Sequence, residues 1–241
     1  MSARTSRRHR INGFSESQEV IVPRILLIGF HRHEAIEYYL VRSANLSEQP
    51  MTEEQIRADI RAQLITLFSA DETALIVEEM EVCSGSARID MAVICDRLIG
   101  IEIKGPRDSL DRLPRQASQY SKCFDQVVLV VDSQLAQGAI ALIPSWWGVV
   151  IGTIGCDGYR YQIARRPRKN KLVDVNSVLS LLWKNEMEIL LNNFIPKRLP
   201  KSASRKRMRD QLVLGAQADK LKQAGVALLR MRKEWRSLPI A

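Results

Sequence analysis

Motifs built on closely spaced cysteine or histidine are missing from this sequence. The four cysteines, Cys83, Cys95, Cys123 and Cys156, stand apart with no C-x-x-C pair, so spacing gives neither a zinc ribbon nor a redox motif. They read as small core residues of a reducing cytosol. His31 and His33 alternate beside Glu34 and Glu37 in no known metal-ligand spacing and read as surface residues. Long apolar runs are missing too. Ile25 to Phe30 and Val127 to Val131 fall far below the roughly 18 residues that span a bilayer. Arg7 and Arg8 open no twin-arginine signal, because Pro23 and Arg24 interrupt the apolar segment that should follow. Without these features the expectation is a cytoplasmic chain with no membrane partner.

What is present is the composition of a folded protein, 46% hydrophobic and 26% charged, which removes the fibrous and membrane classes. A chain of 241 residues can build one medium α/β domain with additions, or two small ones. The formal net charge of +9 is unevenly spread: 51–156 hold 9 Lys+Arg against 15 Asp+Glu, whereas 157–241 hold 20 against 7. A phosphate backbone would be drawn to the second region and would need metal ions at the first.

Residues 1–50 read as an N-terminal extension whose first 22 form a disordered basic tail. A core spans 51–164. It opens with Thr52 as N-cap, Gln55 three residues on, acidic Glu53 and Glu54, then Ile56, Ile60, Leu64 and Leu67 at helical spacing. Ala74 to Val82, Arg88 to Cys95 and Leu98 to Lys104 read as a three-stranded meander. A helix starting at Asp108 or Ser109 follows, with Pro114 either kinking it or marking its true first turn. Val127 to Val131 suits a central buried strand, Leu135 to Ile143 a helix, and Val149 to Ile154 with Tyr159 to Ala164 a hairpin. Trp146 and Trp147 at the helix-to-strand corner read as core. The basic extension, 165–241, should hold helices at 175–194, 204–214 and 219–235. The expected class is α/β, an α-β-β-β-α-β core with a mixed central sheet plus a C-terminal helical extension.

The chemistry centres on two strands. Glu102 and Lys104 share one face while Ile101 and Ile103 take the other, and in the preceding strand Arg88 and Asp90 share a face against Ile89, Met91 and Val93. Turn parity decides whether the acids meet. A three-residue loop, Cys95-Asp96-Arg97, pairs Ile94 with Leu98 and sets Asp90 opposite Glu102, whereas a two-residue loop puts the carboxylates on opposite faces. With the odd loop, Asp90 and Glu102 can hold a hard divalent ion, Mg²⁺ with Mn²⁺ as a substitute, beside Lys104. That is the constellation for metal-assisted phosphodiester hydrolysis.

R-I-D at 88–90 with G-I-E-I-K at 100–104 resembles the D…E-x-K core of the PD-(D/E)XK nuclease superfamily, and the element order fits that restriction-endonuclease-like fold. Q-A-S-Q-Y at 116–120 resembles the Q-x-x-x-Y motif of RecB-like branches. More narrowly, the run from Met51 to about Asn192 resembles a family of bacterial and phage proteins known as sce-type hypothetical proteins. The proline of the superfamily motif is absent, Arg88-Ile89 standing before Asp90. For a third acid, catalytic and metal-binding, Glu79 is preferred over Glu54 and Asp59. The resemblance implies a nuclease-like fold without a settled substrate, and the leading expectation is a Mg²⁺-dependent nuclease acting on DNA before RNA, with Gln116, Tyr120 and Arg88 against the substrate backbone. Arg205, Lys206, Arg207 and Arg209 of the acid-free basic run 197–209 would grip phosphates. The rival expectation is a non-catalytic nucleic-acid-binding or adaptor protein that retains the fold. A homodimer, or a regulatory protein partner acting through 1–50, stays open beside both.

Overall fold

The computed structural model describes residues 41–42, 51–155, 158–196, 199–233 and 235. The tail expected at 1–22, His31 and His33, and Cys156 lie outside the described residues. Among the described residues seven strands form one mixed sheet in the order β1-β7-β6-β5-β4-β3-β2: β1 (Val41–Arg42), β2 (Leu75–Val82), β3 (Ala87–Ile94), β4 (Leu98–Lys104), β5 (Gln126–Asp132), β6 (Gly148–Gly155) and β7 (Gly158–Arg165). β4, β5 and β6 run parallel, and the other neighbours are antiparallel. The helices are α1 (Glu53–Leu67), α2 (Leu113–Cys123), α3 (Ala136–Leu142), α4 (Val175–Leu179), α5 (Lys184–Phe194), α6 (Arg205–Gly215) and α7 (Ala218–Met231). The α/β class, the mixed sheet and the C-terminal helices agree with the sequence.

Each face of the sheet carries its own core. Ile56, Ile60 and Leu64 of α1 pack on Met91, Val93, Ile101 and Ile103, while α2 through α7 cover the opposite face around Tyr120, Phe124 and Trp147. Every residue of β4 and β5 is buried, as strands covered on both faces require. Trp147 is fully buried, as expected of a corner residue in the core. The helices α4 to α7 contribute Leu179, Leu190, Met208, Leu212 and Leu229 to that same core.

α1 begins where the sequence sets it, with Thr52 and Gln55 forming a reciprocal capping box. Pro114 sits in the first turn of α2 rather than kinking it. The single helix expected over 175–194 is instead two. The chain is extended at Trp183, where α5 restarts with Glu186 accepting from the Trp183 N–H at 2.6 Å, and Leu181 and Leu182 turn into the core between the helices.

Ile89 requires a second correction. It does not share a face with Met91 and Val93 but packs into the opposite core with Ala92 and Ile94. Strand β2 turns over at the same level. Ile76 belongs to the α1 side and Met80 and Val82 to the other, with Glu79 between them at φ +53°. Glu79 and Asp90 lie level with each other, between the paired positions Glu78–Met91 and Met80–Ile89. Gly100 of β4 admits this twist, because a Cβ there would meet Ile89 and lie 3.2 Å from the Phe124 ring. Gly100→Ala is therefore expected to destabilise the fold by about 1–3 kcal/mol in denaturant melts, the cost of overpacking a filled core.

Candidate active site

The loop after β3 is the odd one. Ile94 pairs with Leu98 across Cys95-Asp96-Arg97, and the ladder runs to Met91–Ile101, which sets Asp90 level with Glu102. There the two strands stop exchanging backbone hydrogen bonds, and the Asp90 carboxylate takes the place of a backbone carbonyl, its Oδ2 accepting from the Ile103 N–H at 2.7 Å. Asp90 thus lies in the gap between strands, at the carboxyl end of β4, where open α/β sheets commonly place ligands.

Glu102 and Lys104 share a buried face, with Lys104 Nζ donating to Glu102 Oε1 at 2.6 Å. α2 completes the surroundings of Glu102. Gln116 Nε2 donates to Oε1 at 2.5 Å, and the Tyr120 hydroxyl donates to Oε2 at 2.8 Å, while lying 2.6 Å from the Arg88 carbonyl oxygen. Tyr120 is fully buried, so its hydroxyl orients the carboxylate and does not meet a substrate backbone as expected. With Glu102 as a metal ligand, the reading proposed below, Tyr120→Phe would lower metal affinity or turnover about 10–100-fold, as loss of a group that orients a ligand does. Titration of activity against metal concentration, beside a melt showing the fold intact, checks this.

Burial and the nearby Asp90 charge push the Glu102 carboxyl up to about 7, against the pull of Lys104 and Tyr120. Burial also raises Asp90, opposed by the Ile103 hydrogen bond and by the charges of Arg57 and Lys104. The buried Glu102 carboxylate, whose proton affinity the part-buried Asp90 raises, makes a site suited to added positive charge.

Part of that charge comes from a residue sequence reasoning missed. Arg57 of α1 donates to Glu53 (2.9 Å), Glu79 (2.5 Å) and Asp90 (3.0 Å), three carboxylates around one guanidinium. The available signal was the Glu53–Arg57 pair, one helical turn apart. Of the expected third acids, Glu79 is exposed and tied to Arg57 and Arg88. Glu54 is exposed, and Asp59 sits beside Tyr161. Among the described residues no group of three or more His, Cys, Asp or Glu side chains converges as a metal cage. The expected trio Asp90, Glu102 and Glu79 is therefore not brought together as a cage: Asp90 acts on Glu102 through its charge, while Glu79 shares Arg57 with Asp90.

These two carboxylates still fit a magnesium ion, which commonly keeps several waters and takes only one or two protein carboxylates. Gln116, whose Nε2 donates to Glu102, also carries a buried Oε1 without a hydrogen-bond partner. A cavity of ≈ 380 Å³, lined by Thr52, Glu53, Gly105, Arg107 and Asp108 among others, opens at the end of β4. A larger one of ≈ 790 Å³ runs from Glu79 and Arg88 to Trp183, Arg205 and Arg232.

The expected phosphate-gripping residues are disposed unequally. Lys206 and Arg207 are exposed, Lys206 pairing with Asp210 in the next turn of α6. Arg205 donates to the carbonyls of Ser180 and Leu182, and Arg209 to Asn176, so both brace helix junctions. Arg165 and Arg168 likewise donate to carbonyls of the 144–147 corner. Among the described residues no helix is long and apolar enough to cross a membrane.

The family of Bacteriophage P4 protein cII matches residues 47–238. Protein cII of Enterobacteria phage P4 is 30% identical over 121 residues, 50% of this chain and 46% of that protein, so the chain spans about half the length of the curated relative it matches. Among solved structures, Pyrococcus furiosus SfsA in complex with Ca²⁺ is similar at a TM-score of 0.29 and 14% identity, over 48% of this chain and 64% of that one.

Proposed function

We propose, for a chain that belongs to the Bacteriophage P4 protein cII family, that the Asp90–Glu102–Lys104 constellation is the centre of a metal-dependent nuclease of PD-(D/E)XK type. The observation that supports this reading most is the break in the β3–β4 ladder. It seats Asp90 level with Glu102 and points an ammonium group at the same spot.

Asp90 and Glu102 would hold a divalent ion, Mg²⁺ with Mn²⁺ as a substitute, which when bound supplies charge stabilisation to the phosphate and acidifies water. Lys104 is held 2.6 Å from Glu102 and is buried. Freed from part of that pairing, its ammonium can orient water or steady charge on the phosphate oxygens, in surroundings where desolvation strengthens the interaction. Gln116 and Tyr120 fix the Glu102 carboxylate against rotation. Arg88, exposed on β3 and bound to Glu79, is placed to meet a phosphate beside the reacting one. The substrate is a nucleic acid, DNA before RNA, gripped without base readout by exposed cations such as Lys206 and Arg207.

The test is cleavage of single-stranded, duplex and branched DNA and RNA with Mg²⁺, Mn²⁺ or EDTA. Metal-dependent products are expected on at least one substrate. A folded protein that binds nucleic acid but turns over none of them under any metal would support the second reading, a non-catalytic nucleic-acid-binding or adaptor protein. One observation favours that reading: Arg57 and Lys104 already supply cations to the acids. Removing 197–241 would not isolate binding, because α6 and α7 carry the buried Met208, Leu212, Leu221 and Leu229. Lys206→Glu with Arg207→Glu tests it cleanly, and should weaken binding and reduce its salt dependence with the melting temperature unchanged.

A further inference from the structure

Cys83 and Cys123 are 40 positions apart in sequence, yet their sulfurs lie 3.5 Å apart. We propose that these two thiols form a dithiol site that reacts with small-molecule disulfides and closes to an intramolecular disulfide. The proposal stands independently of the nuclease reading.

The two sulfurs are in van der Waals contact, so closure to a bond of about 2.05 Å asks for a movement of roughly 1.5 Å. The elements holding them divide that movement unequally. Cys123 ends α2 and is fully buried beside Phe124 and Tyr120. Cys83 is half-buried and begins a single 3₁₀ turn between β2 and β3. Cys83, Ser84 and Gly85 all have positive φ, at 50°, 58° and 83°, so this turn stands outside the regular ladder. The more accessible partner is therefore Cys83, and the more deeply buried one Cys123.

Their chemistry divides the same way. The hydrogen bond with Cys123 brings the Cys83 thiol down to about 7, with Lys122 adding to the effect against burial. Cys123 is pushed up by the same contact and by burial. Cys83 is then the attacking thiolate at neutral pH and Cys123 the resolving thiol. With oxidised glutathione, Cys83 sulfur attacks one glutathione sulfur and the glutathione S–S bond breaks, releasing one glutathione thiolate. Cys123, giving up its proton, attacks the Cys83 sulfur and releases the second glutathione. The two cysteines lose two electrons and two protons, and the glutathione disulfide is reduced to two thiols. The new bond ties the β2–β3 turn to the C-terminal end of α2, the helix whose Gln116 and Tyr120 hold Glu102.

The test uses the full chain, reduced, freed of reductant and exposed to oxidised glutathione, then alkylated and mapped as peptides by mass. The expected result is a Cys83–Cys123 cross-linked peptide pair, with alkylation of both residues lost and then restored by a thiol reductant, while Cys95 stays alkylated. The Cys123→Ser chain is expected to stop at glutathione on Cys83. Both residues still alkylated after oxidation, glutathione persisting on Cys83 of the natural chain, or Cys83 joined to Cys95, Cys156 or a second chain would each overturn the proposal. Cys123→Ser taking no glutathione at Cys83 would overturn the assigned order of attack.

Discussion

Lys104→Ala is expected to lower Mg²⁺-dependent cleavage by about a hundred- to a thousand-fold, the loss that follows removal of one preorganised charge-stabilising donor. The chain should nevertheless remain folded. Lys104 neutralises Glu102 in the absence of metal, and without it the Glu102 carboxyl, already up at about 7, can take a proton instead of standing as an unpaired buried charge. Asp90→Ala should match that loss of cleavage for a different reason. It removes a proposed metal ligand together with the acceptor for the Ile103 N–H and a partner of Arg57. Lys104→Arg is not expected to rescue activity, because a planar guanidinium cannot enter the space of a compact ammonium beside Glu102, Gln116 and Tyr120. Single-turnover cleavage with excess protein, beside circular dichroism melts, separates lost chemistry from lost fold. Cleavage that persists in both alanine variants would sink the assignment.

How far the sequence led depended on the range of the interaction. The capping box of Thr52 and Gln55 is local, and it set the start of α1 to the residue. The odd loop was legible because a hairpin leaves few parities, and only one of them lets Asp90 and Glu102 meet. Lys104 beside Glu102 follows from strand period alone. The errors lie where tertiary packing overrides a local pattern. Val175 to Phe194 carries helical spacing throughout, yet Glu186 is held by both the Trp183 N–H and the Arg232 guanidinium, which stacks between the rings of Trp183 and Trp235. A partner nearly 50 positions away thus breaks the helix. Glu79 adopts a left-handed backbone with no glycine to announce it, so the turnover of β2 and β3 that sends Ile89 into the opposite core left no mark in the pattern. Beyond the Glu53–Arg57 spacing, nothing in the local sequence sets Arg57 apart from other helix cations. Its three carboxylate partners come from α1, β2 and β3, and only the folded chain assembles them.

Glu102→Gln should remove the pH dependence of stability that Glu102 contributes. In the folded chain the carboxyl titrates near 7, against 4.5 as its ordinary value, chiefly from burial and then from Asp90. The folded state therefore binds this proton more tightly than the unfolded state between those two pH values. The resulting stabilisation is full below pH 4.5, declines as pH rises toward 7, and is gone above it. The gap corresponds to on the order of 3 kcal/mol at neutral pH. Asp90, also raised by burial, acts in the same direction. A glutamine keeps the shape and can still accept from Lys104, but it has no charge to lose or gain. The variant is expected to match or fall below the natural chain at pH 4.5 and to exceed it by a few kcal/mol at pH 8 in urea melts taken without metal. Mg²⁺ should raise the melting temperature of the natural chain more at pH 8 than at pH 5.5, because the ion binds the deprotonated pair, and the variant should lose most of that rise. Parallel stability–pH curves for the two chains would mean that Glu102 is ionised throughout this range, and that Lys104 alone is enough to keep a buried carboxylate charged.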